Sequence, residues 1–385
     1  MIKNLIIFGT RPEAIKMAPL IKEFRKHDEL FDTKVCITAQ HREMLDQVLT
    51  FFEITPDFDL DLMKPNQNLY VLTADILINL KPVLESFKPD YVFVHGDTTT
   101  TMATSLAAFY AGAKICHVEA GLRTFNIQSP FPEEMNRSVT GVISNLHFAP
   151  TKTSKNNLIA ENKSEEDIII TGNTVIDALS YSVEKVNTPT FQDQEIEQLK
   201  IVLNDDKKII LVTGHRRENH GDGFTRICEA LKEIALKHSD TQIIYPVHLN
   251  PNVQKPVYDL LSDTNNIDLI APLSYPAFVW LMEKSYLIIT DSGGVQEEAP
   301  SLGKPVLVMR DSTERPEAVN AGTVLLVGTN KQKIIDEADR LLEDNNAYLA
   351  MSKLHNPYGD GKACSRIVEH IRFKEFQNSI KKKDE

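Results

Sequence analysis

The sequence has little cysteine and no long hydrophobic run. Only four of the 385 residues are cysteine, and no two of them form a CxxC pair. Cys36 and Cys116 lie within apolar runs, so we expect buried thiols in a reducing compartment rather than disulfides or a zinc site. The apolar run at 5–8 is too short for a signal-peptide core, and no later run reaches membrane-spanning length. We therefore expect a cytoplasmic protein with no membrane partner.

The chain also has fewer positively charged than negatively charged residues. The chain has 42 Lys and Arg against 54 Asp and Glu, which gives a formal net charge of −12. Nucleic-acid phosphates select basic surfaces, so a general nucleic-acid-binding protein is disfavoured. The hydrophobic fraction of 42% is ordinary for a soluble globular enzyme. A chain of this length exceeds one compact core of typical size, which favours two domains.

No complete dinucleotide-binding GxGxxG motif follows a predicted strand. Gly221–Gly223 lacks the third glycine, so an NAD-dependent reaction is not indicated. Asp59 and Asp61, and likewise His215 with Glu218, have ligand-like spacing, but neither pair has a third ligand nearby. We therefore predict neither a metal nor a cofactor.

Short apolar runs alternate with helical patterns throughout the chain. This alternation predicts an α/β protein with two Rossmann-like, doubly wound domains built on parallel sheets. The predicted strands are 5–8, 34–38, 91–94 and 114–118, then 209–212, 241–245, 267–270, 286–290 and 305–309. We expect a helix at 101–111 that ends at Gly112, one surface helix within 184–208, and a hinge between the halves at 168–170.

Polar residues follow five of these runs directly. In open α/β sheets, ligands bind beyond the carboxyl ends of the strands, so this placement predicts a cleft shared by both domains. The five segments are 9–13, 95–97, 119–121, 214–217 and 291–294.

Two of these segments favour anions. Arg11 and Lys16 place two cations near a helix N-terminus, which favours anion contact over a plain strand-to-helix turn. The segment 291–298 is the stronger signal, because paired glycines at a helix start let backbone N–H groups approach a diphosphate. Within this segment Glu298 lies one turn into the predicted helix, where its carboxylate can accept hydrogen bonds from both hydroxyls of a ribose.

Four carboxylates are candidates for proton transfer. Asp97 and Glu119 lie just beyond strand ends, where we favour a functional role. Glu133 and Glu134 fall in a first helical turn, where they either complement the helix dipole or take part in catalysis. Arg137 either forms an i,i+4 pair with Glu133 or contacts a phosphate.

Taken together, these segments resemble the bacterial non-hydrolysing UDP-N-acetylglucosamine 2-epimerases. The resemblance runs from residue 3 to about residue 361 and the helix that follows. The matching motifs, in order, are 9–16, 95–100, 117–123, 132–134, 214–219 and 291–303.

The resemblance implies a GT-B-like fold with a central cleft and a C-terminal helix that crosses back to the first domain. The implied domains are 1–170 with 364–385, on the sugar and acid–base side, and 171–363, on the UDP-binding side. A homodimer is also implied, with UDP-GlcNAc, UDP-ManNAc and UDP as small-molecule partners and neither cofactor nor metal.

The resemblance also assigns residues. The implied catalytic residues are Asp97, Glu119, Glu133 and His215. The implied substrate-binding residues are Arg11, Lys16, Arg137, Leu273, Phe278, Ser292, Gly293, Gly294, Glu298 and Arg315, with Leu273 and Phe278 near the uracil. Family members that are activated by their own substrate carry glutamine and arginine where this chain has Glu43 and Asn66, whereas Gln40 matches. These three positions are candidates for a second, activating site that departs from the family pattern.

The implied reaction inverts C2 of the sugar. UDP leaves C1 and the C2 proton is lost, which gives a bound 2-acetamidoglucal. UDP is then added back at C1, and a proton returns to C2 on the opposite face. The product would supply cell-envelope polysaccharide. The alternatives are a hydrolysing epimerase that releases ManNAc, a GT-B glycosyltransferase, and a non-catalytic UDP-sugar-binding regulator.

Overall fold

The computed structural model describes residues 1–39, 42–62, 64 and 67–384, and the chain divides into two compact units. The first unit is Met1–Ala178 with Gly359–Glu385, and the second is Leu179–Tyr358. Residues 171–178 and 359–363, which the sequence analysis assigns to the second domain, thus fall in the first unit.

The first unit contains a seven-stranded parallel sheet within its described residues. Its strand order is β3-β2-β1-β4-β5-β6-β7. The strands are β1 Ile2–Phe8, β2 Phe31–Ile37, β3 Phe58–Asp59, β4 Tyr91–His95, β5 Lys114–Val118, β6 Leu146–Ala149 and β7 Ile168–Ile170. The helices are α1 Arg11–Arg25, α2 Arg42–Phe51, α3 Leu69–Phe87, α4 Thr99–Ala111, α5 Glu133–Ile143, α6 Lys152–Ala160 and α7 Thr174–Val186, which crosses into the second unit.

The second unit contains a six-stranded sheet, also parallel, with strand order β10-β9-β8-β11-β12-β13. The strands are β8 Lys208–Thr213, β9 Thr241–Pro246, β10 Ile267–Ile270, β11 Leu287–Thr290, β12 Val306–Val308 and β13 Val324–Leu326. The helices are α8 Gln194–Val202, α9 Asp222–Lys237, α10 Pro251–Leu261, α11 Tyr275–Lys284, α12 Gly293–Glu298, α13 Pro316–Ala321, α14 Lys331–Glu343 and α15 Asn345–Ser352. The last helix, α16 Ala363–Asp384, belongs to the first unit.

The central strands are apolar because helices cover both faces of each sheet. Leu5 and Val92 pack against residues of α3 and α4 on one face of the first sheet. Ile210 and Ile289 pack with Phe224 of α9 in the second. The four cysteines are free thiols and all are buried, as predicted.

The predicted fold class is confirmed, since each unit has the strand order and parallel pairing of a Rossmann-like domain. The helix at 99–111 ends at Gly112, whose φ of 75° is the left-handed value typical of a helix end. The hinge predicted at 168–170 is wrong, because these residues form β7 and pair with β6 at the edge of the sheet. The short strands β3, β6 and β13 were not predicted, since two to four residues are too few for a clear periodic pattern.

The C-terminal helix returns to the first unit, as predicted. It packs against α1. At its start the buried carboxylate of Asp177 accepts the backbone N–H groups of Ala363 at 3.1 Å and Cys364 at 2.8 Å. Among the described residues, no helix is both long enough and apolar enough to cross a membrane.

One buried histidine makes stability depend on pH. His117 of β5 lies 2.7 Å from the carbonyl oxygen of Gly96 through Nε2. Burial lowers its pKa from 6.5 to about 3, although that hydrogen bond opposes the shift. Below about pH 6.5, His117 therefore binds a proton in the unfolded chain but stays neutral in the folded chain. Its contribution to the free energy of unfolding is complete above that pH and is lost as the pH falls towards 3.

We expect acidification to about pH 5.5 to remove about 1 kcal/mol of unfolding free energy through His117. Urea unfolding at several pH values measures this. His117→Gln, which keeps a donor for Gly96 but does not titrate, should flatten the dependence by that amount. An equally steep dependence in the variant would contradict the assignment.

Candidate functional site

In the first unit, the loops that follow three adjacent strands bring the predicted residues together. β1, β4 and β5 are neighbours in the sheet, so the segments after them meet at one edge. Gly9 lies at the end of β1 against Thr38, where a Cβ atom would come within 2.1 Å of the threonine Oγ1. Only glycine therefore allows the β1 loop to pack this closely.

Glu13 holds these loops in place. Its carboxylate accepts the backbone N–H groups of Gly9 at 3.0 Å and Thr10 at 2.8 Å, and Thr10 completes a capping box at the start of α1. It also accepts the hydroxyl of Thr98 at 2.6 Å, which caps α4 after β4. Because its oxygens are used in this way, Glu13 orders the start of α1, the helix that carries Arg11 and Lys16.

Glu119 is a buried carboxylate with a cation against it. It follows β5 in a left-handed conformation, with φ of 61°. Its Oε2 pairs with Lys16 Nζ, accepts from Asn173 Nδ2 at 3.0 Å and lies 3.5 Å from His95 Nε2. Burial opposes its ionisation, but Lys16 and His95 outweigh burial and hold the pKa of Glu119 well below its ordinary value.

Asp97 has the opposite environment. Its carboxylate pairs with Arg137 at 2.7 Å, and its own carbonyl accepts from Asn136 Nδ2 at 2.9 Å. Burial nevertheless raises the pKa of Asp97 above its ordinary value, although the Arg137 guanidinium opposes the shift. The negative charges of Glu119 and Glu133 add to the rise.

The structure separates the roles of the two acids at the start of α5. Glu134 accepts the backbone N–H groups of Thr124 at 3.1 Å and Phe125 at 2.9 Å, so it anchors the loop after β5. It also pairs with Arg137 at 3.3 Å. Arg137 thus bridges Asp97 and Glu134, and its expected i,i+4 partner Glu133 is not the residue it pairs with. Glu133 is half-buried.

In the second unit, β8 and β11 are neighbours and deliver His215 and Asp291 to one edge. Asp291 is fully buried and accepts the backbone N–H groups of His215 at 2.9 Å and Arg216 at 2.8 Å. The His215 ring has Nδ1 at 3.4 Å from the other Asp291 oxygen and stacks on His248 at a centroid distance of 5.3 Å. Burial lowers the pKa of His215, and Asp291 opposes the shift.

The segment after Asp291 forms a compact turn into α12. A Cβ atom on Gly293 would come within 2.5 Å of the Arg315 guanidinium, so glycine lets this cation lie directly over the turn. Arg315 is oriented by Glu297 at 2.8 Å. The carboxylate of Glu298 reaches back towards Gly294, with 3.7 Å from Oε2 to the position of a Cβ there. Ser292, Gly293, Gly294, Glu298 and Arg315 are thereby brought together.

The two residues predicted near a uracil lie around the start of α11. Leu273 and Phe278 are half-buried at the start of α11. Tyr275 lies between them in sequence, and its hydroxyl is 3.4 Å from Glu298.

The structure places the remaining candidates as follows. Glu43 is exposed in the first turn of α2, whereas Gln40 and Asn66 lie outside the described residues. Glu218 pairs with Arg310 at 2.8 Å.

Within the described ranges, one group of side chains has possible metal-ligand atoms within 4.8 Å of one another, namely His238, Asp339 and Glu343. Lys237 pairs with Asp339 there at 2.5 Å.

Sequence reasoning missed three residues that shape the site. His95 was not predicted, although it ends β4 only two residues before Asp97. Asn173 was missed because β7 was interpreted as a hinge, which hid the fact that Asn173 also follows a strand. Asp291 was included only as part of a turn, and its burial under two backbone N–H groups has no signature in the sequence.

Comparison with known proteins agrees with this geometry. The family model described as UDP-N-acetylglucosamine 2-epimerase matches residues 22–372. The UDP-N-acetylglucosamine 2-epimerase of Escherichia coli K12 is 60% identical over 370 residues, which cover 96% of this chain and 98% of that protein.

Two solved structures extend the likeness. The UDP-GlcNAc 2-epimerase from Neisseria meningitidis bound to UDP-GlcNAc has a TM-score of 0.87 and 56% identity, covering 96% of this chain and 99% of that one. The enzyme from Methanocaldococcus jannaschii in complex with UDP-GlcNAc and UDP has a TM-score of 0.77 and 34% identity, covering 97% of this chain and 100% of that one. The family model and these relatives show that this chain belongs to the UDP-N-acetylglucosamine 2-epimerase family.

Proposed function

We propose that this chain reversibly inverts C2 of UDP-GlcNAc to give UDP-ManNAc, by eliminating UDP to form a bound 2-acetamidoglucal and adding it back. Family membership supports 2-epimerase activity of the non-hydrolysing type. The two relatives solved with UDP-GlcNAc support the substrate. The observation that carries the mechanism is the pair Asp97 and Glu119, a half-buried and a buried carboxylate at neighbouring strand ends whose pKa values are shifted in opposite directions.

The chemistry requires that C2 become acidic. The C2 proton of an N-acetylhexosamine is not next to a carbonyl, so a base alone cannot remove it. When the C1–O bond to UDP breaks, its electron pair leaves with UDP and positive charge develops at C1. A carboxylate can then take the C2 proton, and the C2–H electron pair forms the C1–C2 double bond. Protonation from the opposite face and re-addition of UDP at C1 reverse these steps.

The opposite environments of the carboxylates suit this reaction. Glu119 is held ionised by Lys16, so it can stabilise the positive charge at C1 or accept the proton. Burial raises the pKa of Asp97, and a raised pKa favours the role of a group that takes up a proton and returns it. Glu133 is the third acid–base candidate, and its charge contributes to the raised pKa of Asp97.

The nucleotide set lies mainly in the second unit. We propose that Ser292, Gly293 and Gly294 donate to the diphosphate, with Arg315, His215 and Arg11 neutralising the charge that grows as UDP departs. Arg315 already lies over the Gly293 backbone, which supports this role. Glu298 would accept from the ribose, and Leu273 and Phe278 would pack on the uracil. On the sugar side, Lys16 and Arg137 hold the two carboxylates and contact the substrate.

We also propose a homodimer through one apolar face of the first unit, which we call the α4 face. It consists of Ile78 of α3, Phe109 and Tyr110 of α4, and Val142 of α5, on three helices that pack side by side. Tyr110 is 73% exposed and Val142 71% exposed, so large apolar groups stand in water in the single chain. A second copy that presents the same face would cover them.

The cellular role that we propose follows from the product. UDP-ManNAc made in the cytoplasm would donate ManNAc to cell-envelope polysaccharide. Deleting the gene should remove ManNAc from that polymer, and an unchanged ManNAc content would contradict the role.

Turnover in heavy water should place deuterium at C2 of both UDP-GlcNAc and UDP-ManNAc, because the abstracted proton exchanges before it returns. An NMR time course with UDP-GlcNAc alone measures this. Epimerisation without deuterium at C2 would contradict the mechanism.

The same time course separates the alternatives. Accumulation of free UDP with ManNAc would indicate a hydrolysing enzyme. Turnover that begins only when an acceptor is added would indicate a glycosyltransferase. Binding of UDP-GlcNAc without any reaction would indicate a regulator.

Asp97→Asn and Glu119→Gln should each lower kcat by about 10²- to 10⁴-fold, because each removes a group that moves a proton or stabilises charge. Asp339→Asn, which breaks an exposed ion pair with Lys237, should leave kcat unchanged. Steady-state kinetics on variants with wild-type circular dichroism make the comparison. Full activity in either carboxylate variant would remove that residue from the proposed acid–base set.

Tyr110→Asp combined with Val142→Asp should convert a dimer to a monomer, because two buried charges at an apolar interface are costly. Ile201→Asp is the matched control, since Ile201 of α8 is 84% exposed but lies outside the α4 face. Sedimentation equilibrium reports the mass. A dimer that survives the double substitution would place the interface elsewhere.

A further inference from the structure

The side chain of Asn173 is held in one orientation by the backbone N–H of Val175, two residues further along the chain. It follows β7 and precedes α7, and its Oδ1 accepts the N–H of Val175 at 3.0 Å. Since a backbone N–H is always a donor, the atom facing it must be the amide oxygen. The amide nitrogen is therefore directed the other way, where it lies 3.0 Å from Oε2 of Glu119.

This contact gives the two oxygens of Glu119 different surroundings. Oε2 receives Lys16 and Asn173, with His95 Nε2 at 3.5 Å. Within the part of the chain that the structure describes, Oε1 has no hydrogen bond, and it lies 3.7 Å from the position of a Cβ on Gly96. The donors thus fix the carboxylate by one oxygen and leave the other available.

Two residues of the C-terminal segment, Gly359 and Arg366, pack against the loop that carries Asn173. A Cβ on Gly359 would come within 3.3 Å of Gly172 Cα and 3.6 Å of Asn173 N. Gly359 has φ of 136°, a conformation open essentially to glycine alone. Arg366 of α16 donates to the carbonyl of Thr171 at 2.8 Å, just before the loop.

We propose that Asn173 is a positioning residue for Glu119, holding Oε2 so that Oε1 faces the reacting sugar, and that Gly359 keeps Asn173 in register. The inference rests on the proposed function, because it assigns Glu119 to the chemistry. A group misplaced by even 1 Å can lose about 10²-fold in rate. Asn173 acts through Glu119 and touches no reacting atom.

Asn173→Asp is the sharpest test. The aspartate can still cap Val175, but it cannot donate to Glu119 and it adds a like charge beside it. We expect kcat to fall about 10²-fold with little change in KM. The acid limb of the kcat–pH profile should move to higher pH, because the pKa of Glu119 rises when a donor is replaced by an anion.

Two controls isolate the effect. Asn330→Asp changes another helix-capping asparagine, whose Oδ1 accepts Lys333 N at 3.0 Å, and it should leave kcat and the pH profile unchanged. Gly359→Ala should lower kcat and move the acid limb in the same direction as Asn173→Asp. Gly322→Ala, at a helix end in the second unit with φ of 77°, is its matched control and should do neither.

A double-mutant cycle separates this inference from the proposed function. In the Glu119→Gln background, Asn173→Asp should cost much less than 10²-fold, because the carboxylate it positions is gone. An equal loss in both backgrounds, or an unmoved pH profile, would overturn the positioning role. If Glu119→Gln alone were fully active, the role that the proposed function gives to Glu119 would fail. The carboxyl ¹³C titration of Glu119 in Asn173→Asp would still decide the contact, since an unchanged pKa would overturn it.

Discussion

The buried carboxylate of Glu119 can remain charged only because Lys16 lies against it. Burying an isolated carboxylate costs several kcal/mol, and an apposed cation with further donors offsets that cost. The partners come from the start of α1, the end of β4 and the loop after β7. Those segments must therefore meet at one point, which the parallel order of the first sheet ensures.

Asp291, which is buried, and Asp97, which is half-buried, show other ways to hold an acid after a strand. Asp291 is covered by backbone N–H groups that follow β8, so it shapes a turn and orients His215. Asp97 has a guanidinium partner in Arg137, but burial still raises its pKa. Asp97 and Glu119, at the ends of β4 and β5, thus have pKa values that their surroundings shift in opposite directions. Such a division suits a reaction that needs both an acid and a base.

Sequence reasoning predicted the alternating α/β architecture well, because short apolar runs that alternate with helical patterns are distinct in the sequence. It failed for β6 and β7, where His147 interrupts one strand and the other is only three residues long. Asp97, Glu119 and the turn at 291–298 could be found because they directly follow strands. The pairing of Arg137 with Asp97 could not, since forty residues separate them and only the helix α5 packed against α4 brings them into contact.

The family resemblance supplied roles that periodicity could not. Spacing alone left Glu133 and Glu134 equivalent, whereas the resemblance implied a catalytic role for Glu133, and the structure shows Glu134 bound to the loop after β5. For Asn173, the sequence allows the local capping role to be predicted but not the contact with Glu119. Its capping role is local and common for asparagine, whereas its contact with Glu119 depends on a strand that was assigned to a hinge.

The four buried thiols have a practical consequence. Burial raises the pKa of Cys228 to about 12 and raises those of Cys36, Cys116 and Cys364 as well, so almost no thiolate is present at neutral pH. Alkylating reagents attack the thiolate, so the native cysteines should stay silent in the folded protein. A fluorophore or spin label could then be attached to one introduced surface cysteine in each unit without first replacing any of the four natural cysteines.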